Sequence, residues 1–226
     1  MRHLQREIER LKRKMLSLGA LVEEDLRLAF HAIEERDVSA ARRVIATDVL
    51  IDETEVDVEE DCLKILALYQ PVASDLRFIV AVIKINNELE RIGDLGVNIA
   101  ERAIHLADEH PVPVPAVFTV MAERTSHIIE LALDSLVRQD AVLARRVLVA
   151  DDEIDALYGD LIEALKAVIR DHPEYLDATV MLFAVARHLE RLADHATNIA
   201  EDVLYMVEGE ILRHCTPAQS RDALTL

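Results

Sequence analysis

The sequence predicts an all-α protein built as a tandem repeat of two three-helix bundles, with six long antiparallel helices. Three observations lead to this prediction. The chain has only 5 glycines and 6 prolines, and 51% of its residues are hydrophobic. Long segments therefore lack any helix breaker. The two halves of the chain also repeat each other, as set out below.

Proline positions and capping residues place the helices in order. Prolines occur at 71, at 111, 113 and 115, at 173 and at 217, and proline interrupts helix interiors. Asp37 or Ser39, and later Asp140, are suitable N-caps for two further helices. These signals predict helices near 3–35, 39–69, 72–108, 116–138, 141–171 and 174–209. The proline-rich segment 111–115 is the predicted linker between a first bundle at 1–110 and a second at 116–226.

The two halves share residues in register. At a constant offset of 103, Asp37, Arg42, Arg43, Val44, Asp48, Ile51 and Asp52 recur as Asp140, Arg145, Arg146, Val147, Asp151, Ile154 and Asp155. At an offset of 100, Leu89-Glu90-Arg91, Asp94 and Asn98-Ile99-Ala100-Glu101 recur in the last helix. A register match of this length indicates duplication of one three-helix unit.

The last helix of each half carries one acidic motif, Glu-x-x-x-Asp-x-x-x-Asn-x-x-Glu. Its copies are Glu90, Asp94, Asn98 and Glu101, and Glu190, Asp194, Asn198 and Glu201. At 100° per residue the four side chains of a copy fall within about 80° of rotation, and the apolar residues of the helix lie on another side. We therefore expect both motifs on the outward surface of their bundles.

A second acidic stripe lies on the preceding helix of the first half. Asp48, Asp52, Glu55 and Glu59 share one face of that helix. In the second half only Asp151 and Asp155 recur, and Tyr158 and Ile162 stand at the two later positions. Consecutive helices in a short-looped bundle are adjacent, but whether the two stripes of a bundle meet depends on helix rotation.

Carboxylate and amide oxygens in such stripes are typical ligands of hard cations or iron. No cysteine or histidine pair has the spacing of a zinc site, and no Glu-x-x-His pair of a di-iron bundle is present. His188 and His195 are candidate auxiliary ligands beside the second motif. The alternative is an ordinary solvated surface, but like charges four residues apart repel, and the pattern recurs in both copies. We therefore predict a functional, metal-binding role.

Charge and composition restrict the partners. The net charge of −18 disfavours nucleic acids and anionic membranes, and favours metal cations and basic protein surfaces. Apolar runs such as 78–83 are too short to span a bilayer, and the first 14 residues do not resemble a signal peptide. The two cysteines, Cys62 and Cys215, suit a reducing compartment. We expect a cytoplasmic protein without enzymatic activity, because no nucleophile–base pair or glycine-rich phosphate loop is present.

The chain resembles the PhoU family of bacterial phosphate-signalling regulators over almost its whole length. Gln70-Pro71-Val72-Ala73-Ser74-Asp75-Leu76-Arg77 is similar to that family's Gln-Pro-x-Ala-x-Asp-Leu-Arg segment, and both acidic motifs resemble its Glu-x-x-x-Asp motifs. One departure is Leu95-Gly96 in the first copy, where the second copy has His195-Ala196.

The resemblance implies multinuclear metal clusters at the motif surfaces, with iron or another hard cation such as Mn, Mg or Ca, and a homodimer. It also implies a negative regulator of phosphate uptake and phosphate-starvation signalling, acting as a cytoplasmic adaptor between the ATPase of a phosphate ABC transporter and a sensor histidine kinase. Two alternatives stay open: a carboxylate-metal-dependent hydrolase, and an accessory protein of a different phosphate transporter.

Overall fold

The computed structural model describes residues 2–209. This part of the chain consists of helices joined by short connections, with α1 at Arg2–Glu35, α2 at Val38–Tyr69, α3 at Ala73–Asp108, α4 at Ala116–Arg138, α5 at Ala141–Asp171 and α6 at Leu176–Glu208. A single 3-10 turn, Pro173–Tyr175, precedes α6. The predicted all-α tandem architecture is confirmed, and every helix end lies within two residues of its predicted position. Residues 210–226, including Cys215 and Pro217, lie outside the described part.

Capping fixes the starts of α2 and α5. The carboxylate of Asp37 accepts hydrogen bonds from the amides of Ser39 and Ala40, at 2.8 and 3.1 Å. The carboxylate of Asp140 does the same for Val142 and Leu143 at the equivalent place in the second half. Each cap satisfies amides that have no partner within the helix. The repeat is therefore visible in the turns as well as in the helices.

Each half buries one apolar core between its three helices. Buried side chains such as Leu18, Val58 and Ile85 fill the first bundle, and Met121 and Leu161 are among those that fill the second. Burying each such side chain contributes about 1.5–3 kcal/mol. Because two or three residues separate most consecutive helices, neighbours in the chain run antiparallel.

The two bundles pack on each other through α3 and α6, with a smaller contact between α1 and α4. The segment between the bundles, 109–115, is also held against the first bundle. The guanidinium of Arg36 donates to the carbonyls of Glu109 and His110, and Val112 is buried. Among the described helices, none is both long and apolar enough to cross a membrane.

Candidate functional site

The central pair of helices, α3 and α6, is antiparallel. Arg77 near the start of α3 donates to the carbonyl of Met206 near the end of α6, at 3.3 Å. Further along, Glu88 of α3 lies 2.6 Å from Nδ1 of His195 of α6. Residue numbers thus rise along one helix as they fall along the other. Since α3 and α6 are also repeats of each other, a local two-fold axis relates the two halves.

Both acidic motifs lie on one face of the molecule. On α3, Gly93 faces α2 and Glu88 faces α6, and the motif occupies the helix surface between these two directions. The two-fold axis places the second motif in the same way, between α5 and α3. The layer of α2, α3, α6 and α5 therefore presents both motifs on a single surface, which we call the carboxylate face.

In the first half, the stripe of α2 meets the motif of α3. Burial raises the pKa of Asp48, and the neighbouring carboxylates of Asp52 and Asp94 raise it further. Burial also raises the pKa of Glu90, with added contributions from Asp94, Asp52 and Glu55. Helix rotation, which the sequence left open, thus brings these five acids together. We call them the first cluster.

A glycine allows α2 and α3 to approach closely beside the first cluster. A Cβ added to Gly93 would lie 3.1 Å from the Cδ1 atom of Ile51 on α2. Because contacts that short are rare for real Cβ atoms, a side chain at position 93 would require Ile51 to shift by a few tenths of an ångström. This contact explains a glycine in the middle of a long helix, where it otherwise costs stability.

The second half has an equivalent cluster on α5 and α6. Burial and the carboxylates of Asp155 and Asp194 raise the pKa of Asp151 to about 6. The pKa values of Glu190 and Asp194 are also raised, in both cases mainly by burial. One oxygen of Glu190 accepts a hydrogen bond from Arg187, and its other oxygen is buried without a partner. These four acids, at 151, 155, 190 and 194, form the second cluster.

One acid beside the first cluster was not predicted. Asp25 of α1 is only 3% exposed, and burial together with the charges of Asp48 and Glu24 raises its pKa to about 6. A signal for it exists in the sequence, because Asp25 occupies a seven-residue row of α1 between the buried Leu18 and Ala32. An acid in an apolar row marks a place where the core opens towards a polar site.

The asparagines of the two motifs form different hydrogen bonds from each other. Asn98 donates to the carbonyl of Asp94 on its own helix, at 2.8 Å. Asn198 instead donates to Glu88 of α3, at 3.1 Å, beside the His195 contact. Although burial opposes it, these two contacts lower the pKa of Glu88.

Three more predicted site residues complete the placement. His195 faces the α3–α6 interface, where Glu88 engages it. Glu101 is exposed to solvent, and Glu201 is half-buried. Their roles as metal ligands stay predictions.

The chemistry of the clusters fits a hard cation. In each cluster, burial and neighbouring carboxylates raise the pKa of some of the acids, and a bound cation would relieve the repulsion between them. Within residues 2–209, no group of three or more His, Cys, Asp or Glu side chains is arranged so that it could hold a metal ion. Carboxylate and amide oxygens are donors that Mg, Ca, Mn or iron prefer, but metal binding itself stays a prediction.

A cavity of about 440 Å³ lies elsewhere, between α1 and α4. Met15, Leu133 and Leu136 are among the apolar residues that line it, with Glu23 and Asp134 at its polar side. None of the predicted site residues lines this cavity. The carboxylate face is therefore not the wall of this cavity.

Comparison with known proteins agrees with this arrangement of two repeats. The family model described as "PhoU domain" matches the chain twice, at residues 15–103 and 118–203. A phosphate-specific transport system accessory protein PhoU homolog from Aquifex aeolicus is 40% identical over 209 residues, which is 92% of this chain and 95% of the relative.

Two crystal structures are similar over nearly the whole chain. PhoU from Pseudomonas aeruginosa has a TM-score of 0.86 and 34% identity, over 91% of this chain and 99% of that one. The phosphate transport system regulatory protein PhoU from Streptococcus pneumoniae has a TM-score of 0.85 and 27% identity, over 92% and 98%. With both repeats matched by the family model, the chain belongs to the PhoU family.

Proposed function

We propose that this chain is a regulatory accessory protein of a phosphate transport system. The observation that carries the proposal is the match of both repeats to relatives named for that role, one of them over 95% of its length. In this proposal the protein acts in the cytoplasm and contacts both the transporter ATPase and the sensor histidine kinase. It represses phosphate uptake and phosphate-starvation signalling when phosphate is plentiful.

The carboxylate face is the surface that we assign to metal binding in this role. The first and second clusters would supply the ligands, with the Asn and Glu residues of each motif beside them. A bound cation would neutralise repelling carboxylates and change the charge of the face. The protein's own contribution is to hold acids from two helices at one place, which requires the close approach of α2 and α3 at Gly93.

An exposed apolar row on α2 supports a protein-binding role for the same face. Val49, Val56 and Leu63 follow one another at seven-residue spacing and are 61%, 52% and 55% exposed. Helical geometry places this row next to the acids of α2, with Glu53 and Glu60 between its members. We assign it to an amphipathic partner segment with an apolar stripe and basic flanks. The row is absent from the corresponding part of α5, so the two halves would not bind partners equally.

The geometry favours an adaptor over the alternative hydrolase. Metal-dependent hydrolysis of a phosphoester needs a site that positions substrate and limits water. Asp94 and Asp194 are exposed to solvent, and the predicted ligands do not line the cavity between α1 and α4. We therefore expect no turnover when purified protein is incubated with Mn²⁺ and a panel of phosphoesters. Turnover that disappears in Asp194→Ala would establish the hydrolase instead.

The regulatory role is tested in the source bacterium by deleting the gene and following a phosphate-starvation reporter. In phosphate-rich medium the deletion strain should express the reporter, and the wild-type gene should restore repression. A deletion strain that keeps full repression would overturn the proposal. Normal repression combined with altered uptake through another carrier would instead identify an accessory protein of a different phosphate transporter.

The adaptor step is tested by pull-down with the cytosolic region of the sensor kinase and with the transporter ATPase. The double variant Asp94→Ala/Asp194→Ala should lose binding, whereas Asp160→Ala, an exposed acid on α5 outside both clusters, should retain it. Circular dichroism would establish that the double variant is folded. Full binding by a folded double variant would refute the assignment to the carboxylate face. Light scattering after size exclusion would test the expected homodimer.

A further inference from the structure

The local two-fold axis creates two equivalent places in the interface between α3 and α6. At the first place, Glu88 engages both His195, at 2.6 Å, and Asn198, at 3.1 Å. One turn away, Lys84 forms an ion pair with Asp202 at 2.5 Å. Each of these charged side chains therefore has an oppositely charged or hydrogen-bonding partner across the interface.

The second place has no carboxylates at the positions that correspond to Glu88 and Asp202. At the repeat offset of 100, Glu88 corresponds to His188, His195 to Leu95, Lys84 to Ala184, and Asp202 to Arg102. A carboxylate has thus been replaced by an imidazole, and a second carboxylate by a guanidinium. At the first place, both carboxylates have a partner across the interface, whereas the second place has a guanidinium and no acid at any of the corresponding positions.

Two nitrogen atoms at the second place are buried without a hydrogen-bond partner. They are Nδ1 of His188 and Nε of Arg102. Arg102 forms no ion pair with any other residue of the described chain. Arg191, one turn along α6, lies close enough to act electrostatically on His188, as does Arg102. Buried polar nitrogens are normally paired, so two orphans at one interface indicate that a partner belongs between them.

We propose that this second place binds a small oxyanion of the size of phosphate or sulfate. The oxyanion would occupy the position that the Glu88 carboxylate holds at the first place, and would accept hydrogen bonds from Arg102 and His188. Guanidinium groups bind tetrahedral oxyanions through directed, charge-assisted hydrogen bonds. Both residues are only half-buried as a whole, so an ion can reach the site from the surface. The unpaired atoms and the repeat support this site whether or not the chain regulates phosphate transport.

The site is tested by calorimetric titration of the metal-free protein, with the chelator removed by dialysis and ionic strength held constant with chloride. Inorganic phosphate should bind saturably at one site per chain. Arg102→Gln should weaken binding about tenfold or more, since it removes a charged hydrogen bond. Arg146→Gln, which removes an exposed arginine of α5, should leave binding unchanged. Parallel titrations with sulfate and ATP would show whether the site prefers free phosphate or the phosphate group of a larger ligand.

A second variant gives an independent readout. His188→Glu restores at the second place the acid that Glu88 provides at the first. It should abolish phosphate binding, and it should raise Tm in phosphate-free buffer because Arg102 gains a carboxylate partner. The inference is wrong if wild-type protein shows no saturable binding of phosphate, sulfate or ATP. It is equally wrong if folded Arg102→Gln or His188→Glu protein binds the anion as tightly as wild type does.

Discussion

Replacing Asp151 with asparagine should stabilise the metal-free protein at neutral pH. The pKa of this carboxyl is raised from 3.8 to about 6, by burial and then by Asp155 and Asp194. The difference corresponds to about 3 kcal/mol, and partial exposure to solvent reduces the expected cost of ionisation to about 1–2 kcal/mol. Asparagine has nearly the same shape and no charge, so Asp151→Asn should recover that free energy.

The sign of the pH dependence follows from proton binding. Between about pH 4 and pH 6 the folded protein keeps a proton on Asp151 that the unfolded chain has released. Stability therefore falls as pH rises through this window, and the cost is complete above it. The gain from Asp151→Asn should be largest above about pH 6 and small near pH 4.

Urea denaturation in the presence of chelator at these two pH values measures the effect. In a parallel thermal denaturation at neutral pH, Tm should rise by about 2–4 °C for each kcal/mol gained. Asp160→Asn, on the same helix outside the second cluster, is the matched control and should change little. If Asp151→Asn is no more stable than wild type at neutral pH, burial and the neighbouring carboxylates do not raise the pKa of Asp151.

If the second cluster binds metal, wild-type protein should become more stable than Asp151→Asn when Mn²⁺ is added. A cation that binds the folded state stabilises it in proportion to its affinity, and Asp151→Asn removes one of its ligands. Wild-type protein should therefore gain more from Mn²⁺ than the variant does. Equal gains in both proteins would exclude Asp151 from any metal site.

Further predictions concern packing and the thiol. Gly159→Ala should stabilise by about 0.5–1 kcal/mol in urea melts, because an added Cβ meets nothing within 4 Å. Gly93→Leu should destabilise by about 1–3 kcal/mol through overpacking against α2, and a neutral result would contradict the close approach. Glu88→Ala should cost about 1–3 kcal/mol because two polar groups lose their partner; an unchanged urea midpoint would argue against the contact. In a Cys215→Ser background, Cys62 should react with a thiol reagent only after unfolding, because burial raises its pKa to about 12.

The fold could be predicted because its signals are local. Pro71 ends one helix, Asp37 and Asp140 start two others, and each acts within a few residues of itself. The repeat then supplied the grouping of helices into halves. None of these signals requires knowledge of how two helices are rotated relative to each other.

The contact between the acidic stripes of neighbouring helices could not be predicted, because it depends on how the helices are rotated relative to each other. Whether Asp48 faces Asp94 depends on the rotation of α2 against α3, which is set by contacts such as that of Gly93 with Ile51. The contact of Glu88 with His195 depends in turn on how whole bundles dock. Periodicity within one helix contains no information on either.

The contrast between two groups of acids on α2 argues that the clusters are functional. Asp57 and Asp61 face α1, where the ammonium of Lys14 contacts both. In the first cluster, burial and the neighbouring carboxylates instead raise the pKa values of Asp48 and Glu90. On α2, the acids that face α1 are therefore paired with a lysine. The acids on the carboxylate face instead lie close to other carboxylates. Repulsion of this kind costs stability, so its presence in both halves is best explained by a cation or a basic partner that binds there.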